Sequence, residues 1–312
     1  MEETSNQVID RQLGDFAYLL GTPPLEEFVG FLRKSAAEGT TQLARRVDEW
    51  RGAARHLREL EGCEAGFADN AEIGLLSDRV KDAAAAELDD PGVQRSLERL
   101  PHYWGLVDLD QVVVYQRCLD RSFVERLARE LPECPTDEQL FQLSAGNPKP
   151  DPAEIRTTRT SETLYTVAAR SSDLRVLETT VLDPGTIQGY HFPGRVARVF
   201  ALAVGYGVNF ASVFRLQGRL ILHNGTHRAA TVYGRGIRKF PCLVREVSTG
   251  EDLDLVGAPE IKQHLSLYLG SPRPPRLSDF FDPRLHANFK VASAARLLHI
   301  QINAQQSRVP IL

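Results

Sequence analysis

Residues 219–244, RLILHNGTHRAATVYGRGIRKFPCLV, constrain the fold of this chain more than any other stretch. An aliphatic run halts at Asn224-Gly225, a short helical segment opens at Thr226, and Pro241 leads a second extended run. Pro241 pushes its predecessor out of the α region, and Gly234 or Gly236 supplies a left-handed stop for the helix between. Just upstream, ASVFRL and RLILH flank Gln217-Gly218, which reads as a two-residue hairpin turn. Strand, tight turn, strand, short helix and strand in close succession define an α+β chain.

The turn itself offers an anion site. Backbone N–H groups of a first helical turn are unpaired, and the helix dipole places partial positive charge there. Gly225 admits close approach to the backbone, Asn224 and Thr226 add polar groups, and His227 and Arg228 add donors suited to phosphate oxygens. The same residues also fit a plainer pattern: an Asn-Gly turn, Thr226 as an ordinary N-cap, and Arg228 paired with a neighbour. Arg235, Arg238 and Lys239 form a small basic cluster beside the turn, suited to widening a phosphate site or to lying on a solvated surface. His223 and His227 straddle a strand end without a third ligand, so no metal site is expected.

Upstream the texture differs. Residues 1–145 read as a mainly helical domain. In TTQLARRVDEWRGAARHLRELEG, Leu43, Val47, Trp50, Ala54, Leu57 and Leu60 make one apolar stripe, with Thr40 or Thr41 at its start and Gly62 at its end. NAEIGLLSDRVKDAAAAEL and DRSFVERLAREL read as further helices, and LDQVVVYQRCL as a strand. The prolines and glycine of SAGNPKPDPAE place a linker at 146–160. The second domain spans 161–248. In it LRVLETTVL reads as a strand closing at Asp183-Pro184, and GRVARVFALAVGYG as a helix stopped by Gly205 and Gly207. Residues 249–312 form an extension with a proline-rich connection, PRPPRLSDFFDP, and a half-buried strand, LLHIQIN.

Composition narrows the function classes. A 42% apolar and 25% charged chain of 312 residues has material for a sizeable core. Its net charge of −4 disfavours general electrostatic binding of nucleic acid, which depends on clustered cations. Val199–Phe214 is too short and too interrupted for a membrane span. The start, MEETSNQVIDRQ, lacks the n- and h-regions of a signal peptide. Cys63, Cys118, Cys134 and Cys242 show no metal or redox spacing, and reduced buried thiols in a cytoplasmic protein are expected.

The stretch LILHNGTHRAATVYGRGIRKFPCLV resembles the ParB/sulfiredoxin superfamily, whose members carry a strand, a Gly-x-x-Arg turn, a short Ala-containing helix, a Gly and a strand led by Pro. Gly225, Arg228, Ala229, Ala230, Gly236 and Pro241 fit that frame. The likeness extends weakly upstream to cover 172–247, about a quarter of the chain. It implies that a mixed α/β domain follows the mainly helical one and binds a phosphate-bearing small molecule, a nucleotide with Mg²⁺ among the candidates, while the N-terminal half and the tail share no such likeness. Departures limit what carries over. Thr226 stands where sulfiredoxin-like enzymes place a nucleophilic cysteine, which argues against sulfinic acid reduction. Asn224 replaces the Asp of the superfamily's free-serine kinases and cannot act as a general base. Phosphoryl transfer would then fall to His227 with Asp183 or Glu178. No helix-turn-helix follows the domain, which weakens a partition-like, nucleic-acid-associated alternative; a domain kept for protein contacts is a third reading.

Overall fold

The computed structural model describes residues 13–35, 42–146, 155–169, 174–255, 258–292 and 296–307. The chain forms two compact units, one of residues 1–147 with 209–293 and one of 148–208 with 294–312. Its first elements are β1 (Leu13–Leu19), α1 (Leu25–Lys34), α2 (Leu43–Glu64), β2 (Ile73–Gly74), α3 (Asp78–Asp89) and α4 (Pro91–Leu97). Then follow β3 (His102–Asp108), β4 (Val113–Val114), β5 (Cys118–Asp120), α5 (Arg121–Glu130) and α6 (Asp137–Ala145). The second unit supplies β6 (Arg156–Arg159), β7 (Leu164–Ala169), β8 (Leu174–Leu182) and β9 (Val199–Tyr206). The first unit resumes with β10 (Ser212–Leu216), β11 (Arg219–Asn224), α7 (Thr226–Gly234) and β12 (Lys239–Glu246). After α8 (Gly250–Leu255) and α9 (Pro259–Gln263) come β13 (His286–Ala292) and, in the second unit, β14 (Arg296–Gln301).

The first unit is built on a six-stranded mixed sheet, ordered β2-β3-β12-β10-β11-β4, and a three-stranded antiparallel sheet, β13-β1-β5. The β10–β11 hairpin turns at Gln217 (φ 50°) and Gly218 (φ 82°), the two left-handed residues that a tight primed turn requires. α7 ends at Gly234, Gly236 just beyond it is also left-handed, and the chain returns as β12, parallel to β10. Strand alternation divides the six-stranded sheet between two cores. Val213, Leu220, Leu222, Cys242 and Val244 pack with Ala229, Ala230 and Val232 of α7. Phe214, Ile221 and Val113 face the other way, toward Leu253, Ile261 and Tyr268. The stripe on α2 does line a core: Leu43, Trp50, Leu57 and Leu60 pack around Tyr18, Phe28 and Phe289.

A buried ionic network fastens the C-terminal end of α2. Asp279 takes Arg273 Nη2 at 2.7 Å and Nη1 at 3.0 Å, and Arg273 Nε donates to Glu64 at 2.8 Å. Arg276 also donates to Glu64. Burial opposes ionisation of Glu64, but the hydrogen bond from Arg273 and the charges of both arginines outweigh it and hold the carboxyl below its usual range. Asp282 is held low against burial by the Arg284 N–H and His56 Nε2. Burial pushes His227 and His286 below the ordinary imidazole value. All four groups bind protons more readily unfolded than folded, so each loses its contribution as pH falls through its folded pKa. The thermal midpoint is expected to decline from about pH 6.5 and more steeply below about pH 4. Thermal melts across that range test it, with Glu64→Gln expected to flatten the acid limb.

Several expectations are corrected. Residues 1–145 are not a separate, mainly helical domain: β1 pairs with β13 and β3 with β12, partners that local periodicity does not encode. The expected 161–248 domain is likewise divided, since 161–208 belong to the second unit and 209–248 to the first. GRVARVFALAVGYG is not a helix. Val199–Tyr206 is a strand paired along its length with β8, and Gly205 lies within it. LDQVVVYQRCL forms two short strands separated by Tyr115–Arg117. α2 passes Gly62 and ends at Glu64. PRPPRLSDFFDP is more than a connection, because it carries the buried Arg273, Arg276 and Asp279. Thr40, Thr41 and linker residues 147–154 lie outside the described residues. The second unit contains the antiparallel sheet β14-β7-β6 and the β8–β9 ribbon, with Val167, Ala169 and Leu174 in its core. Among the described residues no helix is long and apolar enough to cross a membrane.

Candidate functional site

The turn 224–228 sits at the carboxyl end of β11, beside β4, to which β11 runs parallel. Carboxyl ends of parallel strands opening into a helix N-terminus are a common place for ligands. Gly225 has φ 85°, and a Cβ there would lie 2.8 Å from the Cβ of Ala211. Backbone conformation and Ala211 therefore demand the glycine; on that side no room is kept for a ligand. Asn224 Oδ1 accepts from the Gly225 N–H at 2.8 Å, and its Nδ2 donates to Asn209 Oδ1 at 3.1 Å. Thr226 is buried and makes no N-cap bond, since Gly225 occupies the cap.

Arg228 is a framework residue rather than a phosphate ligand. Its Nη1 donates to the carbonyls of Asn209 at 2.7 Å, Ser144 at 2.9 Å and Leu143 at 3.3 Å, and its Nη2 to Asn209 Oδ1 at 3.1 Å. The guanidinium thereby ties the end of α6 to the residues leading into β10, and at 8% exposure it does so inside the protein. His227 is similarly spent: its Nε2 accepts the Asp120 N–H at 3.0 Å, which puts the ring proton on Nδ1, and burial favours the neutral form. The basic cluster is also engaged. Arg235 donates to the carbonyl of Ala128, Arg238 faces Asp110 at 3.4 Å and lies over the Tyr233 ring, and Lys239 pairs with Asp108 at 2.9 Å.

The two carboxylates expected to assist belong to the second unit, while the turn belongs to the first. Asp183 Oδ1 accepts the Gly185 N–H at 2.9 Å, the bond that starts an Asp-Pro turn, and Oδ2 lies 3.8 Å from Arg198. Glu178 lies on β8 opposite Ala203, at a bulge in the ribbon. The thiols divide. Burial pushes Cys118 and Cys242 up to about 12, which makes them inert, whereas Cys63 and Cys134 are exposed, contrary to the expected burial.

The structure adds residues that the sequence pattern passed over. Tyr115 and Arg117 lie on the connection leaving β4, alongside the end of β11. The Tyr115 hydroxyl is 3.3 Å from both His223 Nδ1 and the His223 carbonyl, and burial, then the Glu260 carboxylate, pushes its phenol up to about 12. His223 stacks obliquely on Phe214, with centroids 4.4 Å apart. Arg117 lies over the Tyr268 ring at 5.8 Å, and its Nη1 is enclosed without an acceptor. The signal available was the polar triplet Tyr115-Gln116-Arg117 at the exit of a β-branched run. Three comparisons, with protein-family models, with curated proteins and with solved structures, each find no match to this chain.

Proposed function

We propose that the first unit binds a small phosphate-bearing molecule, a nucleotide by preference, at the carboxyl ends of β4 and β11. The observation that carries this reading is Arg117, on the connection leaving β4, whose guanidinium lies over the Tyr268 ring with Nη1 enclosed without an acceptor. A buried guanidinium N–H left without an acceptor costs on the order of 1–3 kcal/mol, and an incoming oxyanion removes that cost. The backbone N–H groups opening α7 add partial positive charge at the same strand ends. Arg228 supports the site by holding its frame. The reading keeps the ParB/sulfiredoxin-like frame for β11, α7 and β12, and assigns binding rather than phosphoryl transfer, because Asp183 is committed to its own turn. Pairing of Arg238 and Lys239 with Asp110 and Asp108 argues against a phosphate-backbone track for nucleic acid.

Calorimetric titration of the full chain with nucleoside triphosphates and inorganic phosphate, with and without Mg²⁺, tests this. Arg117→Gln is expected to weaken binding at least tenfold, the loss of one charged hydrogen bond of about 1.5–3 kcal/mol, without lowering the melting temperature. Equal affinities in parent and variant would refute the assignment. Nanomolar duplex DNA binding that falls steeply with salt would favour the partition-like reading instead.

A further inference from the structure

On the face of the six-stranded sheet that carries Phe214 and Ile221, one side chain lacks what burial demands. Arg245, on β12, is 8% exposed, and its Nε is wholly enclosed without an acceptor. Among the described residues its guanidinium has no hydrogen bond and no ion pair; its Cζ lies 5.7 Å from the centroid of the Phe214 ring. The register sets His102 of β3 beside Arg245 on one flank and Phe214 of β10 on the other. His102 Nδ1 donates to the Leu100 carbonyl at 2.9 Å, so its Nε2 carries the lone pair and offers Arg245 no counter-charge. Other buried arginines of this unit each hold a carboxylate: Arg273 holds Asp279 and Glu64, Arg219 holds Asp69 at 2.6 Å and the Tyr268 carbonyl at 2.8 Å, and Arg276, although its Nε is likewise unmatched, donates to Glu64. Arg245 departs from that pattern.

A buried cation without a partner lowers stability, and such groups persist at functional positions where a ligand completes them. We propose that Arg245 anchors an oxyanion subsite on this face of the sheet, taking the carboxylate or phosphate of a small organic acid whose apolar body lies against Phe214. The planar fork of the guanidinium matches two oxygens of either group, and the neighbouring aromatic face favours a ligand with an apolar ring or chain. Burial already lowers the pKa of Arg245, the direction expected of a desolvated cation awaiting its counter-ion. The subsite stands apart from the reading of Arg117 and does not depend on it.

Thermal melts of the parent, Arg245→Met and Arg245→Lys, alone and with millimolar phosphate, acetate, benzoate or ATP, decide the matter. Methionine keeps an apolar stem of similar reach and removes the unpaired charge. Without added anion, Arg245→Met is therefore expected to melt at least about 2 °C above the parent. With the Arg117 site removed by Arg117→Gln in every protein compared, a saturating anion is expected to raise the midpoint by about 3–6 °C where Arg245 is present, leave Arg245→Met unmoved, and bind Arg245→Lys at least tenfold more weakly. Benzoate or acetate acting without phosphate identifies a carboxylate ligand, and the reverse a phosphate. Arg117→Gln keeps this response if the two sites are separate as proposed. A lower midpoint or failure to fold in Arg245→Met, the same anion response with and without Arg245, or no response where Arg245 is present would each overturn the subsite.

Discussion

Arg228→Ala is expected to destabilise the protein by about 3–5 kcal/mol, an effect on folding before any effect on binding. The substitution takes the guanidinium from the carbonyls of Leu143, Ser144 and Asn209 and from Asn209 Oδ1; Ser144 keeps the Ala211 N–H and Asn209 Oδ1 keeps Asn224 Nδ2, so the Asn209 and Leu143 carbonyls lose most. Each buried acceptor left unmatched costs about 1–3 kcal/mol, partly recovered where water enters. Gly146 makes the space: with φ 74°, its missing Cβ would lie 2.8 Å from Arg228 Nη1. Arg228→Lys is expected to recover only part of the loss, because one ammonium cannot serve both the carbonyls that Nη1 reaches and the Asn209 Oδ1 that Nη2 reaches. Urea midpoints for the three proteins provide the test. An unchanged midpoint in Arg228→Ala with lost nucleotide binding would return Arg228 to the role of ligand.

Asp279→Ala is expected to cost about 3–5 kcal/mol, the penalty for breaking a buried ion pair from one side. Asp279 accepts from both terminal nitrogens of Arg273 and from the backbone N–H of Arg276 at 3.0 Å, with almost no exposure to water. Its loss leaves two buried guanidinium groups to share Glu64, which is nearer the surface. A joint replacement of Arg273 and Asp279 by apolar residues of matching volume is expected to recover much of the loss, since desolvation of the pair offsets much of its attraction. Calorimetric melts of single and joint variants separate these outcomes. A single variant within about 0.5 kcal/mol of the parent would show the network to be ornamental.

What could be read in advance was what is local. The hairpin at Gln217-Gly218, the short α7 with its left-handed Gly236, and the Pro241-led strand all follow from residues adjacent in the chain. The stripe on α2 was legible because its helical period is long and regular. β9 misled because Val199, Leu202, Ala203 and Tyr206 also fall at helical spacing, and only pairing with β8 settles the backbone. β1 gave no warning at all, its partner lying at the far end of the chain. At the candidate site the turn residues could be named, but not their duties. Arg228 fits a phosphate on motif alone; that its donors go to residues 143, 144 and 209 depends on how α6 and β10 meet. Arg117 and Arg245 were invisible for the same reason, since being enclosed without a partner is a property of surroundings.

The pairing of β1 with β13 has a consequence for the newborn chain. Leu19 faces His286 in that ladder, so the ribosome must add about 270 further residues before β1 gains its outer neighbour, roughly 15–55 s at ordinary elongation rates. β3 waits in the same manner for β12. Throughout that interval two unpaired strand edges carrying Tyr18, Leu19 and Val107 are offered to any other extended chain. Synthesis, more than the finished fold, is where this protein is most in need of a chaperone.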